Sequence, residues 1–203
     1  MIASQASPQQ RLVILLHGMG GSGASMMPIV GPWRRALPHT RFAAPDAPFP
    51  AIQGGRQWFR LDGQELRPDH VEFVREAFDE LILEVVKREG FEHALNEVAF
   101  VSVSQGSIVA LDAVASSRWK IGALVSFAGL LPLRPAATSD HMPILLVQGQ
   151  DDPRIPAQAS RAAAGQLRTA GFDVELEVMP GVGHTISPEG AEIALTFLKK
   201  RFA

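Results

Sequence analysis

Short apolar runs separated by longer amphipathic stretches are the feature that most constrains this 203-residue chain. The runs are rich in β-branched and other apolar residues, and they lie at residues 11–16, 41–44, 98–103, 121–127, 144–148 and 174–179. Because four of the runs are apolar almost throughout, we expect strands of a parallel sheet that is covered on both faces. The last run alternates apolar residues with Glu175 and Glu177, which favours a position near a sheet edge.

The stretches between the runs predict helices at residues 71–89, 104–115, 158–170 and 189–202. The first of them has one apolar stripe, formed by Phe73, Val74, Phe78, Leu81, Ile82, Val85 and Val86. Gly90 and Gly171 stand where helix-ending glycines belong. The alternation of strands and helices predicts an α/β fold in a single domain over residues 1–203, with a mostly parallel central sheet and helices on both faces.

Composition excludes several classes of protein. The chain has no Cys and no Tyr, so disulfides, thiolate metal sites and a Cys nucleophile are excluded. A net charge of −2 with scattered basic residues argues against a nucleic-acid partner. The apolar runs are far shorter than the roughly twenty residues of a transmembrane helix, and the N-terminus lacks a signal-peptide pattern. We therefore expect a cytoplasmic protein with no transmembrane segment.

The segment Ser102-Val103-Ser104-Gln105-Gly106 follows one predicted strand and begins a predicted helix. A small residue, any residue, Ser, any residue and Gly at a strand-to-helix turn is the pattern of a nucleophile elbow, which exposes the serine hydroxyl above the sheet. The pattern alone is weak, because Ser104 could simply cap the helix. Ser102 in the first small position adds a second candidate hydroxyl.

An acid and a histidine follow the last two predicted strands. Asp151 and Asp152 come after the run at 144–148, and His184 comes after the run at 174–179. This is the chain order Ser, Asp, His of α/β hydrolases, and each residue falls just past the carboxyl end of a strand. The aspartates could instead form a turn, and His184 could cap the last helix. Asp152 is the preferred acid, although position alone does not separate it from Asp151.

The glycine-rich segment Gly18-Met19-Gly20-Gly21-Ser22-Gly23 supports two interpretations. It matches the dinucleotide fingerprint, with Asp46 about twenty residues further on. However, Pro28, Gly31 and Pro32 interrupt the helix that the fingerprint requires. The favoured interpretation is a loop in which the Met19 N–H, together with that of Gln105, forms an oxyanion hole.

Six segments carry a resemblance to a known family: LLHGMGGSG at 15–23, WF at 58–59, SVSQGS at 102–107, GALVSFAGLLP at 122–132, GQDDPRIP at 149–156 and GHTISPEG at 183–190. On them the chain resembles, essentially end to end, the phospholipase/carboxylesterase family of α/β hydrolases, which includes the acyl-protein thioesterases. The resemblance implies Ser104 as the nucleophile, Asp152 as the acid and His184 as the base. It also implies that the main-chain amides of Met19 and Gln105 form the oxyanion hole. It also implies that Trp58 lies beside the acyl pocket.

The sequence departs from the family pattern at three positions. Ser102 replaces a Gly, Gln148 replaces the His of an H-G-x-x-D segment, and Arg60 replaces an Asp after the aromatic pair. None of these changes removes a catalytic group. The Arg60 change and the long loop at 47–67 bear on substrate preference.

The expected function is that of a serine hydrolase that cleaves carboxylic esters or thioesters through an acyl-enzyme, without a metal or organic cofactor. The candidate substrates are small-molecule esters and acyl-thioesters, an acylated protein or a lysolipid. Two alternatives belong to other classes. One is a hydrolase fold that binds a ligand without catalysis, and the other is a dinucleotide-dependent oxidoreductase.

Overall fold

A computed structural model describes residues 10–61 and 66–202. Its central sheet has six strands, all parallel, in the order β2-β1-β5-β6-β7-β8. Their bounds are β1 Arg11–Leu16, β2 Thr40–Ala43, β5 Val98–Val103, β6 Ala123–Phe127, β7 Pro143–Gly149 and β8 Asp173–Met179. A separate antiparallel pair is formed by β3 Phe49–Pro50 and β4 Arg56–Gln57.

Helices cover both faces of the sheet. Their bounds are α1 Gly23–Met26, α2 Val30–Ala36, α3 Pro68–Glu72, α4 Arg75–Glu89, α5 Gln105–Ala115, α6 Ala157–Ala170 and α7 Pro188–Arg201. Helices α4, α5 and α6 pack in one hydrophobic core, and α2 and α7 pack in a second core on the opposite face. No helix in the described part of the chain is long and apolar enough to cross a membrane.

The predicted α/β architecture with a mostly parallel sheet is confirmed. Strands β1, β5, β6 and β7 are buried almost throughout, as continuous apolar runs require when both faces are covered. β8 forms one edge of the sheet, as its alternating pattern predicts. Gly90 and Gly171 end α4 and α6 in the left-handed conformation that glycine adopts without strain.

The prediction of one continuous helix over residues 71–89 is wrong. The chain forms α3, turns at Phe73 and Val74, and begins α4 at Arg75. Phe73, which was assigned to the buried stripe, is 85% exposed. At about 100° per residue, Phe73 points well away from the face shared by Val74 and Phe78, so one stripe could not bury all three.

The segment at 45–67 is not a plain connector. It contains the β3–β4 pair, and Arg56 forms an isolated bridge with Gly21 in the loop after β1. Because every strand of the central sheet is parallel, the loops after β1, β5, β7 and β8 emerge at the same edge. The β3–β4 pair is therefore anchored where the predicted site residues meet.

Candidate active site

Ser104 occupies a sharp turn between β5 and α5. Its φ of 54° and ψ of −119° are strained values for a residue with a side chain. The turn is tight because α5 starts directly against the end of β1: a Cβ on Gly106 would come within 2.5 Å of the Leu16 carbonyl oxygen and 2.6 Å of that of His17. The pattern predicts this elbow, and the structure explains why its last position is glycine.

Ser102, the competing hydroxyl, lies within the sheet. It is fully buried on β5, and its Oγ donates a hydrogen bond of 3.0 Å to the Val125 carbonyl. It also accepts one from Ser107 at 3.1 Å. A hydroxyl in this position does not reach the cleft, whereas Ser104 Oγ lies at the cleft.

His184 lies between Ser104 and Asp152. The distance from His184 Nε2 to Ser104 Oγ is 2.8 Å, and the distance from His184 Nδ1 to Asp152 Oδ2 is 2.7 Å. A carboxylate can only accept, so Nδ1 carries the proton and Nε2 is left to accept the proton of the serine hydroxyl. Three residues separated by up to 80 positions thus form one hydrogen-bonded chain.

The geometry separates the two adjacent aspartates. Asp151 is exposed, whereas Asp152 is 7% exposed and directs its carboxylate at His184. Burial raises the pKa of Asp152, but hydrogen bonds from the N–H of Ile155, from His184 and from the N–H of Arg154 outweigh it, and the pKa lies below its ordinary value. The acid is therefore ionised and faces the imidazole.

Close packing of two loops brings the acid to the histidine. The N–H of Gln150 donates to the Met179 carbonyl at 2.9 Å, and the N–H of Asp151 donates to the Val182 carbonyl at 3.0 Å. A Cβ on Gly149 would overlap the carbonyl oxygens of Val182 and Gly183. Glycine at 149 is thus what allows the loops after β7 and β8 to touch.

The loop after β1 lies against the elbow. A Cβ on Gly18 would stand 3.2 Å from Ser104 Cβ, so the main chain around Met19 runs past the serine. Among the described residues, neither the N–H of Met19 nor that of Gln105 has a hydrogen-bond acceptor. Two free N–H groups near one hydroxyl are what an oxyanion hole requires.

The Gln105 side chain ties the elbow to the aromatic pair. Its Oε1 accepts from the N–H of Trp58 at 2.7 Å, and its Nε2 donates to the Phe59 carbonyl at 2.7 Å. The indole N–H of Trp58 donates to the His17 carbonyl at 2.8 Å. These bonds hold the β1 loop, the elbow and the aromatic pair as one unit.

His17 supports the loop from below. It is fully buried; its Nδ1–H donates to the Gly18 carbonyl at 2.7 Å and its Nε2 accepts from the N–H of Ala47 at 3.0 Å. Burial lowers the pKa of His17, an effect that the Gly18 hydrogen bond and the charge of Asp46 only partly offset. The neutral form of the His17 ring is therefore favoured, and it offers one donor to the Gly18 carbonyl and one acceptor to the N–H of Ala47.

An apolar cleft of about 250 Å³ opens over Ser104 and His184. Its walls include the side chains of Phe59, Leu61, Leu66, Ile108, Leu130 and Ile155. Trp58, the residue that the sequence analysis places beside the acyl pocket, is not in this wall. It lies one layer deeper, 1% exposed, with its ring 5.6 Å from those of His17 and Phe78.

The structure gives the dinucleotide-like segment another role. The helix that follows it, α1, has only four residues, and Asp46 Oδ1 accepts from the N–H of Gly23 at 2.7 Å. A Cβ on Gly23 would overlap the Ala44 carbonyl, so this glycine is required for packing against the end of β2. Asp46 is thus engaged in holding the loop, and no long helix N-terminus is available for a pyrophosphate.

Two residues that the sequence analysis did not single out support the site. Arg56 donates from its guanidinium to the carbonyls of Ala47 and Pro48 at 2.7 and 2.8 Å. Its main chain also bonds to Gly20 and Gly21 at 2.8 Å each. Gln148, noted only as a departure from a family pattern, contacts Asp152. No sequence periodicity indicates either contact, because both partners are distant or lie in irregular loops.

The remaining histidines stay apart from the site. His39, His93 and His141 are exposed, and His70 is half-buried in a neighbouring groove. Within residues 10–61 and 66–202, no group of three His, Cys, Asp or Glu side chains is arranged to hold a metal ion.

The fold and this arrangement define an α/β hydrolase, and comparison with known proteins narrows the class. The sequence profile described as Phospholipase/Carboxylesterase matches residues 1–202. The chain belongs to the phospholipase/carboxylesterase family.

Named relatives agree with this placement. The chain is 29% identical to Esterase YpfH of Escherichia coli (strain K12), over 98% of this chain and 86% of that protein. It is 25% identical to Acyl-protein thioesterase 1 of Gibberella zeae, over 99% of this chain and 94% of that protein. The crystal structure of esterase PE8 superposes with a TM-score of 0.85 at 28% identity, covering 94% of this chain and 92% of that one.

Proposed function

We propose that the protein is a serine hydrolase that cleaves carboxylic esters or thioesters, with Ser104 as nucleophile, His184 as base and Asp152 as acid. The observation that carries the proposal is the pair of hydrogen bonds at 2.8 and 2.7 Å that joins the three side chains. A strained elbow, an ionised buried acid and free amides beside the hydroxyl support the same chemistry.

In the first half of the reaction, Ser104 Oγ attacks the acyl carbonyl while its proton moves to His184 Nε2. Asp152 accepts the Nδ1–H throughout, fixes the tautomer and stabilises the imidazolium. Collapse of the tetrahedral intermediate expels the alcohol or thiol, which takes the proton from Nε2. Water then attacks the acyl-serine with the same histidine as base and releases the acid.

The oxyanion forms beside the main-chain N–H groups of Met19 and Gln105. Each donor of this kind stabilises the transition state by roughly 3–4 kcal/mol in a well-studied serine protease. The side chain of Gln105 keeps its own N–H in place by binding the aromatic pair, and His17 keeps the Met19 loop in place.

The acyl group enters the apolar cleft. Its volume of about 250 Å³ lies just below the range of roughly 300–1,000 Å³ typical of small-molecule sites, which favours short acyl chains. Phe59 lines the cleft and contacts the acyl group directly, whereas the Trp58 ring packs beneath it against His17 and Phe78 and does not. Relatives named esterase and acyl-protein thioesterase make small esters, acyl-thioesters, acylated proteins and lysolipids the substrate classes to compare.

The test is hydrolysis of p-nitrophenyl esters, from acetate to palmitate, by the wild type and by Ser104→Ala. We expect activity in the wild type that declines with the longer acyl chains, and none above background in Ser104→Ala, which should remain folded. Asp152→Asn should lower kcat by roughly 10⁴, because the wrong imidazole tautomer is then favoured.

Asp151→Asn and Ser102→Ala are the matched controls, since each alters a neighbouring group of the same type. Both should retain most of the activity. Equal losses in Ser102→Ala and Ser104→Ala would contradict the choice of nucleophile. A wild type that neither hydrolyses an ester nor reacts with a fluorophosphonate probe would favour a non-catalytic ligand-binding protein, and tight NAD binding would favour the oxidoreductase.

A further inference from the structure

Gln148, the last but one residue of β7, lies against the acid. It is fully buried, and its Nε2 donates to Asp152 Oδ2 at 3.0 Å and to the Ile155 carbonyl at 2.8 Å. The Asp152 carboxylate thereby receives four hydrogen bonds. Oδ1 accepts from the N–H groups of Arg154 and Ile155, while Oδ2 accepts from His184 and Gln148.

The direction in which the Gln148 amide points is fixed by two acceptors, Asp152 Oδ2 and the Ile155 carbonyl, and Ser160 on α6 binds the other end of the amide. Ser160 Oγ donates to Gln148 Oε1 at 2.9 Å. If the amide were reversed, its oxygen would face the Asp152 carboxylate and the Ile155 carbonyl. All three groups are acceptors and no donor would lie between them, which is strongly unfavourable in a buried site. Only the observed orientation satisfies every group, so Gln148 always presents a donor to the acid.

The two main-chain N–H groups hold one carboxylate oxygen only. A carboxylate held at Oδ1 alone can still rotate about its Cβ–Cγ bond, and rotation would carry Oδ2 away from His184. The N–H of Gln148 supplies the second fixed point, on the same oxygen that receives the imidazole proton. The carboxylate plane is thus set by three neighbours before His184 takes part.

We propose that Gln148, whose amide oxygen is bound by Ser160, is a positioning residue that holds Asp152 Oδ2 toward His184. This inference rests on the proposed function. Gln148 touches neither the substrate nor the reacting atoms, so its effect on the chemical step passes through Asp152. Its loss should therefore lower kcat, and the broken hydrogen bond to the carbonyl of Ile155, a residue of the cleft wall, should add only a smaller change in KM.

The experiment is a double-mutant cycle with Gln148→Met and Asp152→Ala, with kcat and KM measured on a p-nitrophenyl ester. Methionine has a similar shape and no donor. We expect Gln148→Met alone to lower kcat on the order of tenfold, the effect of one hydrogen bond to a charged group, with a much smaller change in KM. In the Asp152→Ala background the same substitution should cause no further loss.

Ser126→Ala is the matched control. Ser126 is equally buried on the adjacent strand β6, and its hydroxyl has no partner among the described residues. It should leave kcat unchanged in both backgrounds.

The inference would be overturned if Gln148→Met lowered kcat equally in the wild-type and Asp152→Ala backgrounds. A rise in KM alone would overturn it as well. In either case the Gln148 amide would only shape the loop after β7. If Gln148→Met does not fold, Ser160→Ala replaces it in the cycle and should show a smaller loss with the same dependence on Asp152. No loss from Ser160→Ala would overturn the proposal as well. An active Ser104→Ala would instead remove the proposed function itself.

Discussion

Several polar side chains around the site are bound by more than one partner, and His17 is a clear case. Its ring is buried beneath the loop that follows β1, with one nitrogen donating to the Gly18 carbonyl and the other accepting from the N–H of Ala47. Both bonds need the neutral ring. Protonation would replace an acceptor by a donor facing the N–H of Ala47 and would place a charge in a buried site.

We therefore predict a stability loss at mildly acidic pH that is specific to His17. Because burial lowers the pKa of His17 below its ordinary 6.5, the unfolded state binds a proton that the folded state does not in the range just below pH 6.5. The contribution is fully present above pH 6.5 and is lost as the pH falls toward the folded-state value. The free energy of unfolding should therefore be lower at about pH 5.5 than at about pH 7.5.

The measurement is the free energy of unfolding in urea at both pH values, for wild type and His17→Gln. Glutamine offers an acceptor to the N–H of Ala47 and does not titrate. The variant should lose less stability on acidification than the wild type. The same loss in both proteins would show that other groups cause it.

Secondary-structure elements meet closely at the catalytic edge, and glycines mark the contacts. α5 begins against the carbonyl end of β1 at Gly106, and the loops after β7 and β8 touch at Gly149. These contacts align the elbow with the oxyanion loop and the acid with the histidine. Packing of elements, more than any local propensity, therefore determines the geometry of the site.

We predict opposite effects from two Gly→Ala substitutions in helices. In Gly106→Ala the new methyl group meets two main-chain carbonyl oxygens, so α5 must shift, which should cost about 1–3 kcal/mol and most of the activity. In Gly165→Ala on α6 the new Cβ meets nothing within 4 Å. This variant should gain about 0.5–1 kcal/mol, the usual preference of a helix for alanine.

Urea unfolding and ester hydrolysis of both variants provide the check. A tolerated Gly106→Ala, with normal kcat and stability, would mean that the start of α5 can move away from β1 without disturbing Ser104.

Segments that are far apart in the chain meet at one edge of the central sheet, and Arg56 connects two of them. Its guanidinium binds the chain at Ala47 and Pro48, and its main chain binds the oxyanion loop at Gly20 and Gly21. The segment around β3 and β4 thus stabilises the loop after β1, which precedes it by more than thirty residues.

We predict that Arg56→Met lowers kcat on the order of tenfold with little change in KM. The carbonyls of Ala47 and Pro48 lose a charged donor, and the segment that stabilises the Met19 loop is held less firmly. Arg41→Met is the control, since Arg41 is exposed and pairs with Glu89 at the opposite end of the sheet. Its kinetics should match the wild type. Similar losses in both variants would assign the effect to general destabilisation.

The sequence by itself determined the fold class and the approximate bounds of most elements. Continuous apolar runs can be buried only between two helical layers. Small residues two positions before and two positions after Ser104 indicate a tight turn from strand to helix. These are local constraints, so a linear pattern is enough to reveal them. The same patterns predict Ser104, His184 and the candidate acids, and family resemblance favours Asp152 among them.

Only the tertiary structure decided how those residues meet. Asp152 differs from Asp151, and Ser104 from Ser102, through burial and direction, which depend on strand register and loop packing. The depth of Trp58 and the main-chain contacts of Arg56 also involve partners far apart in the chain, and the contacts of Gln148 lie in an irregular loop and the helix after it. Their positions depend on the whole packed molecule, because neither periodicity nor spacing carries information about which distant side chain will lie opposite.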